Sequence, residues 1–213
     1  MPDRIIQDLR RQYTKKILTE KNIDPDPFKQ FDKWFNEVLS SGFLEPNAVT
    51  LATASKRGKP SARMLLLKGY DESEFVFYTN YKSRKGGEIA ENPLGTLLFY
   101  WDKLERQVRI EGTIEKLTKK ESEDYFRTRP YKSRLGAWAS KQSTVIAGRS
   151  VVVKEFLKYF LRYGKNVPLP SYWGGYRLKP DYFEFWQGRP NRLHDRIAYK
   201  LDSSKWKRFR LSP

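Results

Sequence analysis

The stretch that decides the fold is residues 48–79, AVTLATASKRGKPSARMLLLKGYDESEFVFYT. It contains three β-prone runs separated by segments rich in turn-forming residues, which is typical of antiparallel strands joined by short connections. Runs of the same kind recur to the end of the chain. We predict strands at Ala48–Ala54, Ser61–Lys68, Glu74–Thr79, Leu94–Trp101, Glu105–Leu117, Trp173–Leu178, Tyr182–Gln187, Leu193–Lys200 and Lys205–Leu211.

Helical patterns are inserted between these groups of strands. Asp26 can cap a helix that begins at Pro27, because apolar residues follow at helical spacing and Gly42 suits its end. Thr118 and Glu121 form a capping-box pattern, which predicts a helix that runs to about Thr128. Further helices are predicted at Ser83–Asn92, Ser133–Ser140 and Arg149–Tyr163.

Regular alternation of strands and helices is missing, which argues against a doubly wound parallel sheet. We therefore predict a mainly β protein with flanking helices, built on an antiparallel barrel. We find no internal repeat and no linker, so residues 1–213 are predicted to form one domain. Residues 1–23 are polar and basic, and they are predicted to form an arm with room for a short helix.

The composition limits the classes of function. The chain has 42 Lys and Arg against 25 Asp and Glu, a net charge of +17, which indicates an anionic partner such as nucleic acid, an acidic membrane surface or phosphorylated small molecules. It has no cysteine and one histidine, so thiolate chemistry, Cys-ligated metals and multi-histidine metal sites are excluded. With no apolar run of membrane-spanning length and no secretory signal pattern, we expect a cytoplasmic protein and no metal.

Two basic segments are candidate phosphate sites. Arg84 and Lys85 lie in the first turn of the helix predicted at Ser83–Asn92, where free N–H groups and the helix dipole favour an anion. Tyr125, Arg129 and Ser133 combine hydroxyl groups with a guanidinium near a helix end, which suits a second phosphate. The alternative in both places is ordinary: solvated charges on a loop, and an arginine that complements a helix dipole.

The strand predicted at Ser61–Lys68 carries one cation on each face. Alternation places Arg63, Leu65 and Leu67 on one face and Met64, Leu66 and Lys68 on the other. Both cations could bracket a binding surface, or they could simply reach water from the strand ends.

A strand face is also predicted to join Arg192, His194 and Arg196, with Asp195 opposite. Two cations beside the imidazole would lower the pKa of His194, so that it is neutral near pH 7. A lone histidine is also compatible with a purely structural role.

Six segments occur in one order: Arg63–Lys68, Phe77–Asn80 with Ser83–Gly86, Leu104–Val108, Ser140–Ser143, Trp173–Tyr176, and Glu184–Gly188 with Arg192–Arg196. Together they closely resemble the pyridoxamine 5′-phosphate oxidase family, and the likeness extends from about Arg10 to the last residues. The resemblance implies a homodimeric FMN-binding split barrel with two active sites at the subunit interface. Thr128, Ser212 and the short Tyr163–Pro168 loop depart from the family pattern without removing a proposed contact.

Carried over by position, the resemblance implies site residues throughout the chain. The implied FMN contacts are Arg63, Met64, Leu65, Leu66, Leu67, Lys68, Tyr78, Thr79, Arg84, Lys85, Gln107, Gln142, Ser143, Trp186 and Arg196. The implied substrate contacts are Arg10, Tyr13, Lys68, Tyr125, Arg129, Ser133, Arg192, Leu193 and His194. Arg192 and His194 are the implied catalytic residues, and Arg10 and Tyr13 are expected to close over the substrate from the arm.

The implied reaction oxidises pyridoxamine and pyridoxine 5′-phosphates to pyridoxal 5′-phosphate, with hydride passing from C4′ to FMN and O2 reduced to H2O2. Arg192 would position the substrate and assist proton removal, and His194 would orient the ring. Two alternatives remain: a split-barrel flavin protein with another substrate, and a basic nucleic-acid-binding module. Trp206 and Phe209 do not share a strand face, so no base-stacking surface supports the second alternative.

Overall fold

The computed structural model describes residues 12–213. In these residues the helices are α1 (Pro27–Leu39), α2 (Arg84–Glu91), α3 (Lys119–Thr128), α4 (Tyr131–Ala139) and α5 (Arg149–Tyr163). The strands are β1 (Ala48–Ala54), β2 (Pro60–Leu66), β3 (Gly69–Tyr70), β4 (Phe75–Asn80), β5 (Leu94–Trp101), β6 (Arg106–Lys116), β7 (Trp173–Gln187), β8 (Asp195–Asp202) and β9 (Lys205–Leu211).

Local signals placed most of these elements correctly. Asp26 Oδ1 accepts a hydrogen bond from the Phe28 N–H at 2.8 Å and caps α1, as predicted, although α1 ends at Leu39, before Gly42. Thr118 and Glu121 make both hydrogen bonds of the capping box that starts α3. The two-residue strand β3 was not predicted. Residues 12–23 contain no helix, and the rest of the predicted arm lies outside the described residues.

The strands of residues 12–213 form one sheet in the order β2-β1-β5-β6-β7-β4-β3, with β8 paired to β7 and β9 paired to β8. The registers between β1 and β2, β4 and β7, and β7 and β8 are all antiparallel. The predicted class, a mainly β antiparallel fold with flanking helices, is confirmed.

The prediction of two strands at Trp173–Leu178 and Tyr182–Gln187 was wrong, because β7 runs without a break through Pro180. Gly112 on β6 explains how this region is accommodated. A Cβ at Gly112 would lie 2.0 Å from the Lys179 carbonyl oxygen and 2.9 Å from Pro180 Cα. The missing side chain therefore lets the backbone around the proline approach closely where proline cannot donate a ladder hydrogen bond.

The chain divides into two compact units. The first unit comprises residues 12–46 with Leu98–Ile110 and Asp181–Pro213, and the second unit comprises Asn47–Leu97 and Glu111–Pro180. The description of residues 1–213 as a single domain stays a prediction.

Aromatic side chains fill the core of the first unit. Phe31 on α1 is fully buried and stacks on Phe35 with ring centroids 5.6 Å apart. Trp34 meets Phe185 edge-to-face at 5.2 Å. Burial of each such ring contributes about 2 kcal/mol, so a few large side chains stabilise a chain of modest hydrophobic content.

The second unit has a satellite core under its helices. Phe126 of α3 and Leu135 of α4 are buried in it together with Trp173, the first residue of β7. Helix α5 covers this cluster with half-buried aromatic side chains, and none of its residues is fully buried. This cluster fixes the positions of α3 and α4 beside β7.

Candidate functional site

The second unit contains an open cavity of about 510 Å³. The predicted site residues that line it are Met64, Leu65, Leu66, Lys68, Tyr78, Thr79, Lys85, Tyr125, Arg129, Ser133 and Gln142. Thr128, Pro130 and Trp173 also line it and were not predicted. The lining includes three cations and no aspartate or glutamate within the described part of the chain, so the cavity suits an anion.

Lys85 places a buried ammonium group in this cavity. Its Nζ donates to Thr79 Oγ1 at 3.2 Å and to Ser83 Oγ and Gln142 Oε1 at 3.3 Å. In residues 12–213 no carboxylate forms an ion pair with it. Burial, followed by the charge of Arg63, lowers the pKa of Lys85. A buried cation whose partners are all neutral, at the start of α2, is a favourable place for a phosphate.

Arg129 is a second cation of the cavity wall. It is the C-cap residue of α3, four residues after Tyr125. Both side chains line the cavity. The guanidinium lies 4.5 Å from the ring centre of Trp173, and burial lowers the pKa of Arg129.

One donor of Arg129 has no acceptor. Its Nη1 is buried and makes no hydrogen bond within residues 12–213. Leaving such a donor unsatisfied costs about 1–3 kcal/mol, which an anionic oxygen in the cavity would recover.

Three rings form a parallel stack at the same wall. Tyr78 and Tyr125 stack with centroids 3.7 Å apart, and Trp173 lies 5.6 Å from Tyr78 at an interplanar angle of 12°. Burial, together with the neighbouring Tyr125, raises the pKa of Tyr78 to about 12, so both phenols stay neutral donors at physiological pH. The pairing of β4 with β7 sets Tyr78 opposite Gly175 and near Trp173, and α3 adds Tyr125 to the stack.

Arg63 is not one of the residues that line the cavity, but its charge acts on Lys85, and a buried carboxylate holds its side chain. Its Nη1 donates to the Leu51 carbonyl oxygen at 3.0 Å, and its Nη2 lies 3.2 Å from Glu88 Oε2. Glu88 was missed in the prediction. The only local signal for it is its position four residues after Arg84 on α2, and Arg84 Nε donates to Glu88 Oε1 at 2.8 Å.

The other predicted residues of this unit lie away from the cavity lining. Arg84 is more than half exposed and points to Glu88, whereas Lys85 beside it faces the cavity. Leu67 is buried in the apolar core, with 4% of its surface exposed. Ser143 follows Gln142 in an exposed loop and has a left-handed backbone, with φ of 70°.

The first unit carries a separate group of predicted residues. The rings of Trp186 and His194 lie 4.6 Å apart, and Tyr13 meets each of them edge-on at 5.6 Å. A Cβ at Gly188 would lie 2.6 Å from Tyr13 Cγ, so this glycine makes room for the tyrosine. Arg10 lies outside the described residues.

The prediction that Arg192, His194 and Arg196 share a strand face was wrong. Pro190–Arg192 form a 3-10 turn, and β8 begins only at Asp195. Asn191 and Arg192 both have positive φ, 56° and 62°. The turn leaves Arg192 and Leu193 exposed, and the guanidinium of Arg192 has no ion pair or hydrogen bond within residues 12–213.

His194 is held as a neutral imidazole. Burial first, and then the charge of Arg192, lower its pKa, while Asp195 opposes them. The Arg189 backbone N–H donates to Nδ1 at 3.1 Å, which requires that nitrogen to be unprotonated. Nε2 therefore carries the proton and can donate a hydrogen bond. The predicted direction of the shift is confirmed, but burial is its larger cause.

Arg196 is held by a buried acid, as Arg63 is. Its Nε donates to Glu184 Oε1 at 2.7 Å, and its Nη1 donates to the Ser212 carbonyl oxygen at 2.8 Å. Burial would raise the pKa of Glu184, but hydrogen bonds from Arg196 and Arg109 outweigh it and keep the pKa low. Gln107 lies half-buried on β6.

Comparison with solved structures defines the class of protein. PhzG of Burkholderia lata, solved in complex with tetrahydrophenazine-1-carboxylic acid, superposes with a TM-score of 0.87 at 29% identity over 93% of this chain and 99% of that one. A pyridoxamine 5′-phosphate oxidase-related, FMN-binding protein of Nostoc punctiforme has the same fold, with a TM-score of 0.70 at 16% identity over 90% and 100%. The fold is the predicted split barrel.

Comparison of sequences identifies the family. The family model described as pyridoxamine 5′-phosphate oxidase matches residues 35–163, and the one described as pyridoxine 5′-phosphate oxidase C-terminal dimerisation region matches residues 173–213. The chain belongs to the pyridoxamine 5′-phosphate oxidase family.

Relatives of nearly the same length support the assignment to this family. The pyridoxine/pyridoxamine 5′-phosphate oxidase of Gloeothece citriformis is 55% identical over 99% of this chain and 100% of its own. The Burkholderia thailandensis protein of that name is 54% identical over 98% of this chain and 99% of its own.

Among the described residues, no helix has the length and apolar character needed to cross a membrane.

Proposed function

We propose that the protein is an FMN-dependent oxidase that converts pyridoxamine 5′-phosphate and pyridoxine 5′-phosphate to pyridoxal 5′-phosphate, with O2 reduced to H2O2. The observation that carries the proposal is the acid-free cavity with its cations Lys68, Lys85 and Arg129, in a chain of this family. Cofactor and substrate each bring a phosphate ester, and the reaction therefore needs two anion sites.

The residues present fit FMN. Lys85 has a buried ammonium group with only neutral acceptors, at the N-terminal turn of α2, and would hold the cofactor phosphate. Gln142 and Thr79, which already contact each other at 3.3 Å, would complete that end of the site. When bound, FMN supplies the two-electron acceptor for the substrate hydride and returns the electrons to dioxygen.

The substrate phosphate would bind at the other cations of the cavity. The unsatisfied Nη1 of Arg129 is a ready donor, and the hydroxyl groups of Tyr125 and Ser133 line the same wall. Lys68 would add a second positive charge. Truncated ligands without phosphate should therefore bind much more weakly.

Arg192 and His194 would act at the pyridine ring. The guanidinium of Arg192 has no partner of its own in residues 12–213, so it is free to bind substrate and to assist removal of the proton from C4′ or its substituent. Neutral His194 would donate a hydrogen bond from Nε2 and fix the ring orientation. Tyr13 and Arg10 of the arm would close over the bound substrate.

The assembly belongs to the proposal. Residues 173–213 match a dimerisation region, which supports a homodimer. We propose that each of its two active sites is built by both subunits, and that the enzyme works in the cytoplasm.

Flavin reduction tests the proposed function. Purified protein, reconstituted with FMN if necessary, should be yellow, and pyridoxamine 5′-phosphate added without oxygen should bleach the flavin absorbance. Admission of oxygen should restore the colour and release H2O2 and pyridoxal 5′-phosphate. A protein that cannot be loaded with FMN would contradict the cofactor assignment. A yellow protein that neither B6 phosphate bleaches would indicate a flavin protein with another substrate.

A further inference from the structure

Glu88 is a buried acid that the proposed mechanism does not use. Only 8% of its side chain is exposed, and it lies on α2 one turn after Arg84 and Lys85. Thr53 Oγ1 and Ser61 Oγ both donate to its Oε2. Arg63 Nη2 approaches the same oxygen at 3.2 Å, and Arg84 Nε binds Oε1 at 2.8 Å. One carboxylate thus joins β1, β2 and the start of α2.

This arrangement restrains two cations that would otherwise be mobile. An arginine side chain loses conformational entropy when it is fixed, so a preformed geometry favours binding of an anion. Arg63 is fixed at both terminal nitrogens, because Nη1 also donates to Thr53 Oγ1 at 2.7 Å and to the Leu51 carbonyl oxygen. Burial would raise the pKa of Glu88, but hydrogen bonds from Ser61, Thr53, Arg84 and Arg63 lower it to about 2, so the carboxylate stays charged.

The charge of this group also matches a phosphate monoester. The group contains the cations Arg63, Arg84 and Lys85 and the single carboxylate of Glu88, which leaves a net charge of +2. A phosphate monoester carries about −1.5 to −2 at neutral pH. Glu88 therefore keeps the cations from repelling one another before the phosphate binds, without cancelling their attraction for it.

We propose that Glu88 is a positioning residue, which orients Arg63 and Arg84 for the phosphate of FMN. The inference rests on the proposed function, since it takes FMN as the ligand. The inference predicts a change in FMN affinity of opposite sign to the change that simple electrostatics predicts. Loss of a negative charge near a phosphate should tighten binding by Coulomb attraction alone, whereas loss of positioning should weaken it.

The test is Glu88→Gln, with FMN and riboflavin binding to the apoprotein measured by quenching of flavin fluorescence. We expect FMN to bind about tenfold more weakly, the size expected for loss of a charge-assisted hydrogen bond, while riboflavin, which lacks the phosphate, binds as before. The matched control is Glu91→Gln, the same charge change on an exposed residue at the end of α2, which should leave both affinities unchanged.

Three results would overturn the inference. FMN affinity that is unchanged or tighter in Glu88→Gln would show that the carboxylate does not position the arginines. Equal weakening of FMN and riboflavin would show a merely structural role. If the wild-type protein binds no FMN at all, the proposed function fails, and the inference fails with it.

A milder pair of variants covers the case in which Glu88→Gln does not fold. Thr53→Val removes a hydroxyl that donates to Glu88 and accepts from Arg63, whereas Thr53→Ser keeps that hydroxyl. The ratio of FMN to riboflavin affinity should fall about threefold in the valine variant and stay at the wild-type value in the serine variant. Equal ratios in the two variants would contradict the positioning role.

Discussion

The arginines and lysines of this protein differ in what their charges contact. Arg63 and Arg196 are each held by a buried glutamate, Glu88 and Glu184 respectively. Lys85 has only neutral partners, and one buried donor of Arg129 has none within residues 12–213. The arginines paired with a glutamate are oriented before any ligand arrives, whereas Lys85 and Arg129 gain the most binding free energy from an anion.

Arg192→Ala tests the residue that we propose acts at the substrate. Turnover should fall at least about 100-fold while FMN stays bound, and stability should change by less than about 0.5 kcal/mol because the side chain is exposed. The pKa of His194 should rise, since a neighbouring cation is lost, yet stay below its ordinary 6.5 because burial is the larger cause.

The single histidine makes this measurement direct, since a proton NMR titration of an untagged chain shows the signals of one imidazole. Activity that needs neutral His194 should be lost as the pH falls through the measured pKa. Arg127→Ala, at an exposed position on α3, is the control and should alter neither turnover nor the histidine pKa. Loss of FMN from Arg192→Ala would show that this residue was assigned to the wrong ligand.

At the scale of elements, the first turn of α2 determines where the cavity cations point. Ser83 caps the helix by accepting the Gly86 N–H, and Lys85 and Arg84 then leave the helix on different sides. Gly86 packs against the backbone of Tyr81, since a Cβ there would lie 2.1 Å from the Tyr81 carbonyl oxygen. The position of α2 therefore depends on this glycine.

Gly86→Ala and Gly87→Ala should have opposite effects on stability. Gly86→Ala forces the helix away from Tyr81, so it should lower the free energy of unfolding by about 3 kcal/mol and weaken FMN binding. The second places a methyl group in open space and should stabilise the helix by about 1 kcal/mol. Denaturant unfolding of the two variants measures both changes in the free energy of unfolding. Equal effects would contradict the close packing of Gly86.

Sequence predicted elements well wherever the signal was local. The cap at Asp26 and the capping box at Thr118 are made by neighbours in the chain, so their hydrogen bonds can be read from the sequence. Prediction from the sequence failed at β7, where Gly112 on another strand accommodates Pro180. It failed again at Arg192 and His194, because a 3-10 turn replaced the expected strand.

At the scale of the whole molecule, the proposal that two subunits build each active site can be tested by complementation. Arg129→Ala and Arg192→Ala should each be nearly inactive as homodimers. If the two residues of one site come from different subunits, mixing and reassembling the variants gives heterodimers with one intact site, and activity returns. If the mixture stays inactive although measured masses show that heterodimers have formed, both residues belong to the same subunit.

The sequence by itself determined most of the strands and helices, the positive charge that favours anionic ligands and the resemblance to the family, because periodicity, caps, charge and ordered segments can be read along the chain. Only the tertiary structure decided which cations are paired. Glu88 lies 25 residues from Arg63 and 35 from Thr53 along the chain. The stack of Tyr78, Tyr125 and Trp173 likewise depends on the pairing of β4 with β7. Contacts between distant segments arise from packing, and no local pattern specifies them.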